Sequence, residues 1–324
     1  MIRFSVIIPL YNKAPYVAKT LQSVFDQTFT DWELIVVNDG STDNSLQVAT
    51  EVVEGVSERF PEGKLNIISQ NNSGVSVARN NGVAASHGEY VCFLDADDWW
   101  ETTFLEEMDK LISEFPDAGI YGTGYNIINE TRHKTRVAPI GVDENFEKGY
   151  INYCKVYAKT LCMPLTSITV AIRRAVFDEM QGFKPNLKLG EDFELWIRIA
   201  LKYKVSFLNK ALANYNQDVD AANRGTHHLH APENHMLWNL DYLEEEEKKN
   251  SDYKQLIDKL RTYGLLNYYI SQAYHDAAQQ ELSKVDWKRQ PPFCVKLYRK
   301  PVFYLRLRQR VLTYGSKLKH RFSK

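Results

Sequence analysis

The sequence predicts an α/β protein in which a mostly parallel sheet is flanked by helices and followed by a C-terminal helical extension. Short apolar runs alternate with amphipathic segments of helical spacing, which is typical of βαβ units. The links between these segments are short, and polar clusters follow the ends of the apolar runs. At 324 residues, with 44% hydrophobic residues, the chain is long enough for one large domain and an appendage.

The apolar runs indicate strands that are buried on both faces. In chain order, the predicted strands are Phe4–Leu10, Trp32–Asn38, Leu65–Ser69, Tyr90–Leu94, Ala118–Ile128, Ser167–Ile172 and Val205–Leu208. The predicted helices are Ala14–Phe25, Asn44–Glu58, Val75–Ala85, Thr102–Phe115, Tyr150–Thr160, a short one ending at Met180, Phe193–Leu201, and a long helical stretch from Leu237 to Leu282. Residues 129–150 are polar, and we expect a mobile excursion or a short hairpin there.

Three carboxylates, Asp95, Asp97 and Asp98, come directly after the strand Tyr90–Leu94. Asp95 and Asp97 are two residues apart, so they point the same way in extended chain. Carboxylates this close repel each other unless a cation neutralises them, and hard oxygen ligands suit Mg²⁺ or Mn²⁺. The alternative is that Asp98 caps the helix beginning near Thr102 and that the other two are loop acids.

Polar clusters also follow the first three predicted strands, as Tyr11-Asn12, Asp39-Gly40 and Asn71–Gly74. The carboxyl ends of parallel strands meet at one edge of a sheet, and ligands of α/β proteins bind beyond that edge. Because all the clusters fall at strand ends of the same kind, we expect them to form one site together with Asp95 and Asp97.

A nucleotide diphosphate explains this set of residues. Asp39 can accept hydrogen bonds from a base or ribose, Tyr11 can lie against a base, and Arg79 offers a fork of donors to phosphate or base. A metal-bound diphosphate is a good leaving group, so an incoming hydroxyl group then needs a base. Asp192 is the candidate base and Glu191 would orient it, whereas the alternative role of Asp192 is a helix N-cap.

Several classes of protein are excluded by missing motifs. The turn at residues 9–13 lacks the G-x-G-x-x-G of dehydrogenases, and the chain has neither a P-loop nor the G-x-S-x-G of hydrolases. The 4 cysteines show no metal-ligand spacing, so we expect reduced thiols in a cytosolic protein. We expect no secretion signal, and no apolar run approaches the roughly 18 residues of a membrane span.

Five successive motifs resemble those of family 2 glycosyltransferases, which have the GT-A fold, and they cover about residues 2–215. The motifs are FSVIIPLYN at 4–12, VVNDGSTD at 36–43, NNSGVSVARN at 71–80, FLDADD at 93–98 and GEDFELW at 190–196. The resemblance implies an inverting transferase that uses a UDP-sugar with Mn²⁺ or Mg²⁺. It implies that Asp97, with Asp95, holds the metal and that Asp192 is the catalytic base. The implied nucleotide-sugar-binding residues are Pro9, Tyr11, Asp39, which contacts uracil, Arg79, Asp95 and Ala96.

From the resemblance we expect transfer of a hexose or N-acetylhexosamine to a hydroxyl group of a saccharide or lipid-linked acceptor in polysaccharide or glycoconjugate biosynthesis. We expect a catalytic domain at 1–215, a helical acceptor-side extension at 216–290 and a basic amphipathic tail at 291–324. The Q-x-x-R-W motif of processive synthases is absent from the sequence, which favours single transfers. The alternative from another class is a non-catalytic nucleotide-sugar binder. A sugar nucleotidyltransferase would need a glycine- and arginine-rich loop after the first strand, and the sequence has none.

Two further features leave alternatives open. The histidines at 227, 228, 230 and 235 form either an acceptor-side lid with a metal ligand or a polar surface loop. After Asp286 the chain is basic and contains no acid, with apolar and aromatic residues interspersed. This tail suits either binding to an anionic membrane surface or packing on the rest of the protein. Binding to nucleic acid is less favoured, because no nucleic-acid-binding fold accompanies the charge. We therefore expect a cytoplasmic protein with peripheral contact to the inner face of the cell membrane.

Overall fold

The computed structural model describes residues 2–129, 131–218 and 229–308. The chain divides into two compact units, the first ending at His227 and the second beginning at His228. The second unit contains helices and 3₁₀ turns in its described residues. The domain boundaries expected at 215/216 and 290/291 stay predictions.

A single mixed sheet of 10 strands forms the centre of the first unit. Its strands are β1 (Phe4–Leu10), β2 (Trp32–Asp39), β3 (Leu65–Gln70), β4 (Tyr90–Phe93), β5 (Trp99–Trp100), β6 (Ala118–Asn129), β7 (Lys134–Val137), β8 (Lys148–Ile151), β9 (Val170–Arg173) and β10 (Lys204–Asn216). The strand order is β3-β2-β1-β4-β9-β6-β10-β5, with β7 paired to β6 and β8 paired to β10.

The predicted parallel core is confirmed, because β3, β2, β1 and β4 are mutually parallel. The predicted strand Ser167–Ile172 is partly wrong. Its first residues, Ser167–Thr169, form a 3₁₀ turn, and β9 runs antiparallel to both β4 and β6. A capping box between Thr166 and Thr169 holds this turn, and an alternation pattern does not reveal it.

The strand predicted at Val205–Leu208 is longer than expected, since β10 runs for 13 residues. Exposed polar residues at 209 and 210 interrupt the apolar pattern of β10. Register shifts at Leu208/Ala211 and Ala211/Ala213 allow β10 to stay paired with β6 past this point. Residues 129–150 include the hairpin expected there, in which β7 pairs with the end of β6. The same stretch also supplies β8, which covers one side of β10.

Helices cover both faces of the sheet, as predicted. They are α1 (Val17–Phe25), α2 (Ser45–Glu54), α3 (Val75–Ala84), α4 (Phe104–Glu114), α5 (Tyr153–Thr160), α6 (Arg174–Glu179) and α7 (Glu191–Lys202). Gly82 lets α3 approach β1 closely, because a Cβ there would lie 2.4 Å from Ile7 Cγ2. This close packing holds α3, which carries Arg79, against β1 and β2.

The second unit corrects the prediction of one helical stretch from Leu237 to Leu282. Its helices are α8 (Glu244–Lys249), α9 (Ser251–Gly264), α10 (Leu266–Ile270), α11 (His275–Ser283) and α12 (Pro292–Tyr298). Asn250 breaks the pattern because its side chain accepts hydrogen bonds from the N–H groups of Asp252 and Tyr253, which makes it an N-cap. Inside the unit, Arg261 forms a fork of hydrogen bonds, 2.7 and 2.8 Å long, with Glu247.

No helix among residues 2–129, 131–218 and 229–308 has the length and apolar character needed to cross a bilayer. All 4 cysteines are free thiols, as expected, and three of them are buried.

Candidate active site

The loop between β4 and β5 carries the three clustered carboxylates, and Asp98 has a different role from the predicted helix cap. The N-cap of α4 is Thr103. Asp98 is instead 2% exposed, and its Oδ1 accepts a hydrogen bond of 2.7 Å from the N–H of Asn216 at the end of β10. Burial, together with Asp97 and Asp95, raises the pKa of Asp98 well above its ordinary value. Asp98 therefore links the acidic loop to the end of β10 by a hydrogen bond.

Asp97 forms an ion pair that the sequence did not predict. Its Oδ2 lies 2.6 Å from Nζ of Lys13, in the loop between β1 and α1. Burial raises the pKa of Asp97, Lys13 lowers it, and the neighbouring Asp95 raises it again, with a net upward shift. The ammonium group thus supplies the positive charge that clustered carboxylates require.

Arg79 joins the loop after β4 to the start of α7. Its Nη2 donates to Asp95 Oδ1 at 2.7 Å, and its Nη1 donates to Glu191 Oε1 at 3.1 Å. The Arg79 side chain is 3% exposed, and its Cζ lies 5.2 Å from the centroid of the Phe183 ring. Burial lowers the pKa of Arg79, but Asp95 and Glu191 outweigh that effect and raise it. The guanidinium group is therefore charged and holds two acidic motifs together.

Asp192 lies in the first turn of α7, next to Glu191. The N-cap is Gly190, whose φ of +79° lies in the left-handed region, so the N-cap role considered for Asp192 is wrong. Burial and the adjacent Glu191 raise the pKa of Asp192 to about 7, although Arg79 opposes the shift. A carboxyl group with this pKa exchanges protons near neutral pH, as a general base must.

Glu194 anchors the start of α7, and the sequence reasoning missed it. It is fully buried and pairs with Arg198 at 2.7 Å and with Lys184 at 2.8 Å. Arg198 also donates to the carbonyl oxygen of Gly182 at 2.8 Å. These contacts hold the loop before α7 against the helix. A glutamate one helical turn before an arginine was the available signal in the sequence.

Asp39, at the end of β2, lies in a cradle of donors. Its Oδ1 accepts hydrogen bonds of 2.8 Å from Gln70 Nε2 and from the N–H of Ser73, and its Oδ2 accepts one of 2.9 Å from the N–H of Gly74. The next residue, Gly40, has a φ of +69°, and a Cβ there would lie 2.8 Å from the backbone nitrogen of Asn72. Hydrogen bonds to both oxygens therefore fix the orientation of the carboxylate.

The turn after β1 lies against the loop that follows β2. Asn12 Oδ1 accepts a hydrogen bond of 2.8 Å from the N–H of Thr42, and the N–H of Asn12 donates to Ser41 Oγ at 3.2 Å. Tyr11 is 44% exposed, which leaves its ring open to a ligand base. Pro9 is partly buried and Ala96 is buried.

The donor groups of the acidic loop fit a divalent cation. Asp95 and Asp97 offer hard carboxylate oxygens at the carboxyl edge of the sheet, and Asp95 is 35% exposed. Among the described residues, no group of three or more His, Cys, Asp or Glu side chains is placed to hold a metal ion. The two carboxylates would therefore need substrate phosphates and water to complete the coordination of Mg²⁺ or Mn²⁺.

The four histidines do not share one environment. His227 and His228 lie outside the described residues. His235 is 5% exposed and packs edge-on against Trp238 and Tyr268, so the idea of a polar surface loop is wrong for this residue. Burial lowers the pKa of His235 to about 4, and its Nδ1 accepts from the N–H of Leu237. It is a neutral core residue of the second unit.

Comparison with known proteins identifies the fold and the family. Residues 5–180 match the family described as Glycosyl transferase family 2. The amylovoran biosynthesis glycosyltransferase AmsB of Erwinia amylovora is 31% identical, over 66% of this chain and 70% of AmsB. Glycosyltransferase GlyA of Streptococcus pneumoniae is 35% identical over 66% of this chain, but the matched part spans only 30% of GlyA.

Among solved structures, S. aureus TarS 1-349 in complex with UDP superposes with a TM-score of 0.65 at 20% identity, and the match covers 87% of this chain and 79% of the TarS fragment. This likeness confirms the GT-A fold expected from the motifs. The extent of the family match confirms the resemblance seen in the sequence. The chain belongs to glycosyl transferase family 2.

Proposed function

We propose that the protein is an inverting, metal-dependent glycosyltransferase. It moves a hexose or N-acetylhexosamine from a UDP-sugar to a hydroxyl group of a saccharide or lipid-linked acceptor, one sugar per encounter. Family membership supports the transferase class. The UDP bound to TarS supports the choice of nucleotide, and the name of AmsB supports a role in polysaccharide biosynthesis.

The proposal rests on one observation. A continuous set of polar contacts runs along the carboxyl edge of the sheet. Asn12 contacts the loop after β2, and Asp39, the last residue of β2, contacts the start of α3. Arg79, on α3, then joins Asp95 to Glu191, the neighbour of Asp192. Segments distant in the sequence thus converge on one edge, where α/β proteins bind nucleotides.

Each group in this edge has a part in the transfer. Asp39 would accept a hydrogen bond from uracil, and Tyr11 would stack on the base with Pro9 beside it. Asp97 and Asp95 would hold the cation, which when bound neutralises the charge that develops on the diphosphate leaving group. Ala96 lies between these two acids. Asp192 would take the proton of the acceptor hydroxyl as its oxygen attacks the anomeric carbon from the face opposite the diphosphate, which inverts that centre.

The test is UDP release from a panel of UDP- and GDP-sugars in the presence of Mn²⁺. We expect release from at least one UDP-sugar, and we expect that Asp97→Ala and Asp192→Ala abolish it. Tight UDP binding without turnover of any donor would instead favour the alternative of a non-catalytic nucleotide-sugar binder.

The pH dependence follows from Asp192. Its pKa is raised to about 7, so below that pH the group is protonated and cannot accept the acceptor's proton. We expect kcat/KM to fall about tenfold per pH unit below pH 7 and to level off above pH 8. Initial rates at saturating Mn²⁺ between pH 5.5 and 9 measure this profile. A rate that is flat across that range would exclude Asp192 as the base.

Contact with an anionic membrane is part of the proposal for a lipid-linked acceptor. Phe293 and Phe303 are 59% and 73% exposed, close in sequence to Lys296, Arg299 and Lys300. The same segment also packs inward, because Arg306 donates to the carbonyl oxygen of Ile270 at 2.7 Å. Flotation with anionic liposomes, with and without residues 290–324, tests the contact. Equal recovery of the two proteins would remove it.

A further inference from the structure

Lys13 places a positive charge where the proposed metal ion would bind. Its ammonium nitrogen lies 2.6 Å from Asp97 Oδ2, and the side chains of Lys13 and Asp97 are only 19% and 17% exposed. A partly buried, charge-assisted contact of this length is strong. The carboxylate that the metal proposal depends on is thus already paired with a cation from the chain itself.

The acidic edge explains why such a counter-ion is present. Asp95, Asp97 and Asp98 lie within four residues of the chain, and Asp98 is 2% exposed. Arg79 forms ion pairs with Asp95 and Glu191. Lys13 is the cation that pairs with Asp97. Without a cation at Asp97, this cluster of acids would hold uncompensated negative charge in a partly buried loop.

The main chain of Lys13 is fixed, whereas its ammonium group stands at the end of a flexible stem. The N–H of Lys13 donates to Ser45 Oγ at 2.6 Å. Its carbonyl oxygen accepts from the N–H groups of Tyr16 and Val17 at 2.9 and 3.0 Å, at the start of α1. The four-carbon stem of a lysine can change rotamer without moving such an anchor. The ammonium group can therefore leave Asp97 while the loop stays in place.

We propose that Lys13 is a displaceable counter-ion, which holds Asp97 in the ligand-free protein and transfers to the donor's diphosphate when a divalent cation binds Asp97. A divalent cation on Asp97 repels an ammonium group a few ångströms away, so the two compete for this carboxylate. The diphosphate that completes the metal coordination brings negative charge to the place the ammonium group leaves. Lysine is a common phosphate ligand because it carries a compact positive charge.

This inference rests on the proposed metal site and makes two opposite predictions for Lys13→Met. Without nucleotide, the variant should bind Mn²⁺ about fivefold more tightly than the parent, because the competing charge is gone. At saturating Mn²⁺, the same variant should bind UDP about tenfold more weakly, because a charged hydrogen bond to phosphate is lost. A permanent brace for Asp97 would not give this pair of changes.

The measurements are Mn²⁺ titration followed by electron paramagnetic resonance and UDP titration by calorimetry. Lys13→Arg, which keeps the charge, should bind Mn²⁺ no more tightly than the parent. Lys110→Met removes an equal charge from α4, where the ammonium group pairs with Glu106 at 2.8 Å, and should change neither affinity. Circular dichroism confirms that each variant is folded.

Unchanged or weaker Mn²⁺ binding by Lys13→Met, or unchanged UDP binding, would overturn the inference and leave the metal site standing. If neither the parent nor Lys13→Met binds Mn²⁺, both the inference and the metal site fail. The donor panel then still decides independently whether the protein is a transferase.

Discussion

Asp192→Asn is expected to lower kcat by roughly a thousandfold while leaving UDP affinity unchanged, because a general base contributes about 10²–10⁴-fold to such a step. The amide has nearly the same shape as the carboxylate but cannot take a proton. Steady-state rates with the best donor of the panel and calorimetric UDP titration measure the two quantities.

The same substitution should also stabilise the fold. The pKa of Asp192 is raised to about 7 in the folded protein from an ordinary 3.8. The unfolded chain therefore ionises first, so the group lowers stability as the pH rises from about 4 to about 7, and the full cost is present above pH 7. At pH 8 we expect Asp192→Asn to raise Tm by roughly 2–4 °C, which corresponds to about 1 kcal/mol for a domain of this size.

Asp117→Asn is the matched control for both measurements. The Asp117 side chain is 70% exposed and lies 3.2 Å from Lys204. It should change neither kcat nor Tm measurably, since exposed pairs contribute little. If Asp192→Asn kept more than a tenth of the parent's kcat, another group would have to be the base.

Arg79→Met is expected to have the largest effect on stability. The substitution leaves Asp95 and Glu191 without their shared cation, and removing one partner of a buried ion pair costs about 3–5 kcal/mol. Asp95 is 35% exposed and water can compensate part of this, so we expect a loss of about 2–3 kcal/mol in the free energy of unfolding. Urea titration measures it.

Arg79→Lys separates charge from geometry. A lysine keeps the positive charge but cannot donate to Asp95 and Glu191 in two directions at once. We expect it to recover most of the stability and little of kcat/KM, because Asp95 and α7 are no longer held in register. Arg59→Met, at an exposed position, is the control and should be neutral. An Arg79→Met variant as stable as the parent would show that the bridge contributes nothing.

The edge of the sheet was predictable from the sequence because it depends on a simple rule. Buried apolar runs predict strands, parallel strands share an edge, and Asp39, Asp95 and Asp97 each follow such a run. The parallel orientation of β1, β2, β3 and β4 follows from the same βαβ logic. Local patterns therefore sufficed to bring the acids together.

The pairing of charges at that edge was not predictable, because it depends on contacts between distant segments. Lys13 and Asp97 are 84 residues apart, and Arg79 and Glu191 are 112 apart. Arg79 was expected to face phosphate or base, whereas the structure shows it bound to two carboxylates. Asp98 matched the pattern of a cap but bonds to a strand 118 residues later. Burial and long-range partners decided each of these roles.

The central claim is that Asp192 drives a single displacement on a donor held at Asp95 and Asp97, and the stereochemistry of the product tests it most directly. Proton NMR at early times can follow the anomeric configuration of the first sugar released or transferred, with water as the acceptor if no saccharide is accepted. The account predicts a product of configuration opposite to that of the donor. A product that retains the donor's configuration would contradict it, because retention requires a different mechanism.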